Sequence, residues 1–235
     1  MKRFWPIPPS RFSQDERGTT LVEFTIAVSL FLLIFFAVLD FGRLTYNWVM
    51  AEKAMQRAAR IASVRLSVCS GVPAFNTRAD ANVAAVQSGT LCRDADGVTG
   101  EICRAVPTRV CTLNTANPGN INAQNTADEI WAAIRPMLPD NANRANVMIS
   151  YEFDPQLGFL GGPYTPLITA ELVGADIGDG NFDDFRFTFL TPLSALAAAA
   201  GASNTTDIPG EGASIPFPDI SVTLPAEDLN IGGRG

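Results

Sequence analysis

The chain has 235 residues, of which 47% are hydrophobic and 17% are charged, and it carries a formal net charge of −7. A chain of this length can bury one sizeable core, and its acidity opposes binding to the phosphates of nucleic acids, so we expect no nucleic-acid partner. It contains no histidine, which excludes Ser-His and Cys-His catalysis and most zinc-site patterns.

A basic leader and an apolar stretch begin the chain. The leader Met1–Gly18 is rich in Lys and Arg, and Phe24–Leu39 contains no charged residue. The wider stretch Thr19–Phe41, interrupted only by Glu23 and Asp40, spans a hydrocarbon core of about 30 Å as a helix. A cleaved secretory signal peptide is the alternative, but the run continues without a small-residue cleavage site, so we predict a retained membrane anchor. The positive-inside rule then places the leader in the cytoplasm and the long C-terminal part outside it.

The predicted helix continues beyond the membrane. Apolar residues recur there at three- or four-residue spacing: Leu44, Trp48, Ala51, Met55, Ala58, Ala62 and Leu66. They fall on one face of a helix, and basic residues fall on the opposite face. We predict one helix from Thr19 to about Leu66, within an N-terminal region of residues 19–68. Its apolar face packs either on its own domain alone or also on the same helix of neighbouring subunits.

Four cysteines follow the helix: Cys69, Cys92, Cys103 and Cys111. An even number of cysteines outside the cytoplasm predicts two disulfides, for which three connectivities are possible. A zinc site is the alternative, but the spacing contains no C-x-x-C pair and the chain has no histidine to complete a mixed site. We predict that the disulfides constrain a loop-rich insertion, residues 69–120.

One short helix and several strands are predicted after the insertion. Thr126 opens a capping-box pattern with Glu129, and apolar residues follow as far as Pro136, so we predict a helix from Thr126 to near Arg135. Apolar and polar residues alternate over Val147–Phe153, which is the period of a strand with one buried face. Similar alternation predicts three more strands: Ile168–Val173, Phe185–Phe189 and Ile220–Leu224.

These elements predict an α+β fold. Because no crossover helices connect the strands, we expect one antiparallel sheet of about four strands, with the long and the short helix packed on it. Residues 121–235 form this exported α+β domain. Within it, the Ala-, Gly- and Ser-rich stretch Leu193–Ser214 is typical of a long loop.

The most specific local pattern is Gly18-Thr19-Thr20-Leu21-Val22-Glu23-Phe24. It places a glycine after a basic leader and an acid five residues later, where the apolar run begins. It resembles the processing site of type IV pilin-like proteins, which a membrane aspartyl peptidase cleaves after the glycine. Four further segments resemble TadE-like minor pilins of tight-adherence, or Flp-type, pili: Asp40–Arg43, Ala58–Arg60, Ala127–Leu138 and Val147–Tyr151.

This resemblance implies a pilin-like fold and a minor pilin-like subunit that takes part in pilus assembly. It implies cleavage by a prepilin peptidase between Gly18 and Thr19, with Glu23 and Phe24 forming the assembly and processing motif. The implied partners are membrane lipid and other pilin-like subunits. The implied location is the bacterial inner membrane, with the C-terminal domain in the periplasm or outside the cell and the subunit either staying in the membrane or entering the pilus. Major pilins usually carry Tyr after the acid and are much shorter, so Phe24 and the chain length favour a minor subunit.

Glu23 is expected to have a partner in the membrane. A carboxylate at mid-bilayer costs about 2.5–3.5 kcal/mol, and less near the edge. The amine that cleavage creates on Thr19 lies four residues away on the same helix, and the same amine on a neighbouring chain is an alternative partner. Either pair neutralises the carboxylate, and the second also fixes the register between subunits.

Other functional classes have weaker support. The chain has no nucleophile elbow, Walker-type loop or Ser-x-x-Lys pattern, so we expect neither an enzyme nor a cofactor. The alternative function is a membrane-anchored extracytoplasmic module for ligand binding, calcium binding or adhesion. Asp94–Gly97 and Asp176–Asp184 do place carboxylates in glycine-bearing loops. Neither fits the EF-hand pattern, so we predict no metal site.

Overall fold

The computed structural model describes residues 19–79, 86–93, 102–173, 186–189, 214–227 and 229. Their helices and strands are α1 (Thr19–Val64), β1 (Arg109–Thr112), α2 (Ile121–Ile134), β2 (Val147–Glu152), β3 (Leu167–Leu172), β4 (Arg186–Thr188), β5 (Ser214–Pro216) and β6 (Ile220–Pro225). The chain forms two compact units: Met1–Arg43 with Thr188–Ser214, and Leu44–Phe187 with Ile215–Gly235. The predicted α+β class, with a long N-terminal helix and a four-stranded antiparallel sheet, is confirmed.

Helix α1 is continuous over 46 residues, as the uninterrupted apolar periodicity predicts. In the second unit its buried face consists mainly of small side chains, all fully buried: Ala51, Ala54, Met55, Ala58, Ala59 and Ala62. Small residues let a helix approach its neighbours closely, so this face packs tightly into the core. Trp48, which belongs to the predicted apolar face, is 49% exposed within this chain.

The main sheet has the strand order β1-β2-β3-β6, and every neighbouring pair is antiparallel. One row across it runs through Cys111, Ile149, Ala170 and Val222. Side chains alternate between the two faces of a strand, so the predicted alternation of β2 buries Val147, Ile149 and Tyr151 on one face.

The sheet is joined to the end of α1 by hydrogen bonds and an ion pair. The Val68 N–H donates to the Tyr151 hydroxyl at 3.0 Å, and the Glu227 N–H donates to the Ser63 carbonyl at 2.9 Å. Arg65 donates to both carboxylate oxygens of Glu129 on α2, at 3.0 and 3.1 Å. Helix α2 buries Ala127, Ile130 and other apolar residues. These contacts place α1, α2 and the sheet around one core.

Helix α2 begins five residues earlier than the capping box predicts. Asn120 is the N-cap, and its side-chain oxygen accepts from the N–H groups of Asn122 and Ala123. Thr126 lies inside the helix, where its hydroxyl donates to the Asn122 carbonyl at 3.0 Å. The predicted end is confirmed, because the α-helix gives way at Arg135 to a 3₁₀ turn that contains a proline.

The membership of the sheet differs from the prediction. The strand around Phe187 does form, as β4, but it pairs with β5 in a separate two-stranded sheet. The fourth strand of the main sheet is β1, which lies in the cysteine-containing segment. Most of the predicted loop Leu193–Ser214 lies outside the described residues.

The cysteine-containing segment is held by two disulfides, Cys69–Cys111 and Cys92–Cys103. The two predicted disulfides are therefore present, and this pairing is one of the three connectivities that the sequence left open. The first links the chain just after α1 to the edge strand β1. The second lies in a small apolar cluster with Ile102 and Leu160, and both of its cysteines are fully buried. All four cysteines are paired, so none is a thiolate ligand for zinc.

Candidate processing and assembly site

The described part of the predicted site begins at Thr19, the first residue given for α1. Thr19 and Glu23 lie four residues apart in this helix and therefore share a face. Both are exposed, and Phe24 beside them is 70% exposed. The Glu23 carboxylate has no hydrogen-bond or ion-pair partner among the described residues. Gly18 lies outside the described residues.

The N-terminal half of α1 is rich in apolar residues, and its most apolar stretch is exposed. An 18-residue window of this helix has a mean hydropathy of 2.6, and none of it is buried within the protein. Its two hydroxyl groups are satisfied locally, because Thr25 donates to the Leu21 carbonyl and Ser29 to the Thr25 carbonyl, each at 2.7 Å. The helix is therefore suited by length and composition to cross a membrane, and it fits a membrane-anchored protein.

The segment Asp40–Arg43 follows the apolar run. The Asp40 side chain is fully buried, and its carboxylate accepts from the Arg43 guanidinium one helical turn on, at 3.5 Å. The Phe41 ring meets the Phe189 ring edge-on, with centroids 6.4 Å apart. Gly42 faces open space, because a Cβ added to it would have no neighbouring atom within 4 Å. The predicted pair of Asp40 with Arg43 is present, and Gly42 leaves an open surface on the helix.

Thr19, Glu23 and Asp40–Arg43 all lie in one segment of the chain, and this segment is similar to a known protein family. Residues 18–60 match the family model of TadE-like proteins. The match starts at the glycine of the predicted processing motif and ends within α1. It confirms the TadE-like resemblance over this segment, which is a small part of the 235-residue chain. No curated protein and no solved structure gives a significant match.

The TadE-like match fits a structural, pilus-associated protein of the tight-adherence system. It covers Thr19, Glu23 and Phe24 as well as Asp40–Arg43. It does not reach the four cysteines, the sheet or α2.

The calcium alternative gains no support from the described residues. No group of three or more Cys, Asp or Glu side chains suited to a metal occurs among them. Glu171 and Asp219 are close enough to interact, and burial together with repulsion from Asp219 raises the pKa of the Glu171 carboxyl. The loops Asp94–Gly97 and Asp176–Asp184 lie outside the described residues, so their calcium binding stays a hypothesis.

The structure also contains a polar cleft that the sequence does not predict. We call it the arginine cleft; it measures about 510 Å³ and is lined by Asn76, Thr77, Arg78, Ser88, Arg104, Leu160 and Gly161. These residues come from four separate stretches of the chain and follow no period, so only the folded backbone brings them together. The placement of Arg104 directly after a cysteine is the only local signal.

Proposed function

We propose that this chain is a minor pilin-like subunit that takes part in assembly of a tight-adherence pilus. Helix α1 anchors it in the bacterial inner membrane, with the leader in the cytoplasm and the folded C-terminal part outside. A prepilin peptidase removes residues 1–18, and the mature subunit then associates with membrane lipid and with other pilin-like subunits.

The proposal rests on one coincidence: the family match and the exposed apolar half of α1 lie in the same segment of the chain. The match begins at residue 18, and the apolar window of α1 has no part buried within the protein. Apolar helix surface that stays exposed in the folded chain is expected to be covered by lipid or by another subunit. A pilin-like subunit uses both environments, first in the membrane and then among neighbouring helices.

The exposed Glu23 supports an assembly role beyond simple anchoring. A membrane anchor alone gains nothing from a carboxylate near the start of its apolar stretch, because the charge opposes insertion. Cleavage after Gly18 would leave an amine on Thr19, four residues from Glu23 on the same face. The same amine on a neighbouring subunit would pair with Glu23 equally well and would fix the vertical register of the two helices.

The proposal is tested by processing and assembly assays on the full chain in its native host. Intact mass should show a mature protein that begins at Thr19, and Gly18→Leu should block cleavage by placing a bulky side chain at the cut site. Glu23→Gln should still be cleaved but should lose most co-purification with other pilin-like subunits. Glu52→Gln is the matched control, since Glu52 is an exposed acid on the C-terminal half of α1, and it should be processed and assembled normally.

Two results would contradict the proposal. A wild-type protein that keeps the leader would rule out the processing step. Normal co-purification of the Glu23→Gln variant would reduce Glu23 to a polar residue with no part in assembly.

A further inference from the structure

The arginine cleft has walls that backbone hydrogen bonds hold in place. The Arg104 N–H donates to the Thr77 carbonyl at 2.7 Å, and the Asn76 N–H donates to the Gly162 carbonyl at 2.9 Å. The Gly89 N–H donates to the Leu160 carbonyl, also at 2.9 Å. Four chain segments are thereby fixed side by side, and their lining side chains are positioned before any ligand arrives.

A disulfide and a small apolar cluster adjoin the cleft, because Leu160 belongs to both the cluster and the cleft lining. Cys103 immediately precedes Arg104, pairs with Arg78 in a β-bridge, and is bonded to Cys92. Both cysteines are fully buried with Ile102 and Leu160. Both arginines are therefore linked through the backbone to the Cys92–Cys103 disulfide, although they are 26 positions apart in sequence.

The described residues that line the cleft carry positive charge, opposite in sign to the net charge of the protein. The chain carries a net charge of −7, whereas the charged side chains among the described residues that line the cleft are Arg78 and Arg104. Arg104 is exposed and forms no ion pair with any described residue. A guanidinium presents a planar fork of donors that matches a carboxylate or sulfate with two parallel hydrogen bonds. The cleft therefore suits an anionic group.

The remaining lining residues indicate a ligand larger than a simple anion. Thr77 and Ser88 supply hydroxyl groups that both donate and accept, and Leu160 supplies an apolar surface. Gly161 has φ +78°, a backbone conformation that glycine adopts without strain, so glycine suits this part of the cleft wall. A volume of about 510 Å³ is in the range of small-ligand sites and far exceeds one sulfate.

We propose that the arginine cleft binds an anionic saccharide, meaning a sugar unit that carries a carboxylate or a sulfate. Arg104, with Arg78, holds the anionic group. The hydroxyls of Thr77 and Ser88 bind the sugar hydroxyls, and Leu160 contacts the C–H face of the ring. The site is open, so one unit of a longer polysaccharide fits without being enclosed. This proposal does not depend on the pilus assignment, because the cleft belongs to the folded part of the chain whatever it assembles with.

The test is calorimetric titration of the full chain in detergent micelles with four probes. These are an oligogalacturonate, a sulfated oligogalactoside, a neutral oligogalactoside and a tetraglutamate peptide. We expect one or both anionic saccharides to bind, with an affinity that falls as salt is added, and the neutral saccharide to bind at least tenfold more weakly. Which anionic saccharide binds more tightly decides between carboxylate and sulfate.

Variants locate the binding. Arg104→Gln should weaken binding about tenfold or more, since it removes the charged donor that binds the anionic group. Arg104→Lys keeps the charge but loses the planar fork, so it should fall between Gln and wild type. Arg57→Gln, which removes an exposed arginine from α1, is the control and should bind as wild type. Circular dichroism checks that each variant is folded, and Ser88→Val provides a second disruption that leaves both arginines in place.

Three outcomes would overturn the proposal. These are equal binding of neutral and anionic saccharides, unchanged binding by both Arg104→Gln and Ser88→Val, and tetraglutamate binding as tightly as the saccharides. The last would assign the cleft to acidic peptides instead.

Discussion

The two disulfides should stabilise the fold unequally, because they close loops of different length. Cys69–Cys111 joins residues separated by 42 positions, and Cys92–Cys103 joins residues separated by 11. A cross-link stabilises mainly by reducing the entropy of the unfolded chain, and the effect grows with the logarithm of the loop length. By this relation the longer loop contributes about 4 kcal/mol and the shorter about 3 kcal/mol.

The comparison must separate the cross-link from the packing of the sulfur atoms. Cys92 and Cys103 are fully buried, so replacing them also removes core contacts. We therefore compare oxidised and reduced forms of two variants, one with Cys92 and Cys103 changed to Ser and one with Cys69 and Cys111 changed to Ser. Each variant keeps one disulfide, and reduction breaks that cross-link while the sulfurs remain.

Urea unfolding of the full chain in detergent, followed by far-UV circular dichroism, measures the free energy of unfolding. Reduction should lower it by about 4 kcal/mol in the variant that keeps Cys69–Cys111 and by about 3 kcal/mol in the other. Thiol labelling before and after reduction verifies the redox state. A loss below about 1 kcal/mol for the longer loop, or a clearly larger loss for the shorter one, would refute the reasoning from loop entropy.

Two further predictions concern α2 and the buried tyrosines. Asn120→Ala should lower the free energy of unfolding by about 1 kcal/mol, because it removes the N-cap of α2. Asn125→Ala, on the exposed face of the same helix, is the control and should change the free energy of unfolding little. Equal effects of the two substitutions would contradict the observed helix start. Burial raises the pKa of Tyr164 to about 12, so the unfolded chain ionises first and stability should fall between about pH 10 and pH 12, by up to about 1.4 kcal/mol per pH unit. Tyr164→Phe should reduce this loss and leave the part due to Tyr151, whose pKa burial also raises. It should not destabilise the protein at neutral pH, because the Tyr164 hydroxyl has no hydrogen-bond partner among the described residues. Tyr46→Phe, at an exposed position, should leave the pH profile unchanged, and an unchanged profile in Tyr164→Phe would argue against the raised pKa.

The sequence by itself determines the elements whose signals are local and periodic. Helix α1 follows from an uninterrupted run of apolar residues that continues as a one-sided helical pattern. Strands β2 and β3 follow from alternation of apolar and polar residues, since a strand with one buried face requires it. The processing motif is also local, because the glycine, the acid and the apolar run must occur at fixed spacing along one chain.

Tertiary structure decides what depends on residues distant in sequence. Strand β1 is short and bears no clear alternation, and it belongs to the main sheet because β2 offers it an edge and Cys69 binds it covalently. Asn120 caps α2 in place of Thr126 because the chain arrives there extended, so its side chain can accept two free N–H groups. The pairing of the cysteines and the presence of Arg78 and Arg104 in one cleft arise in the same way. Neither has a pattern along the chain, because both depend on which segments the folded core brings side by side.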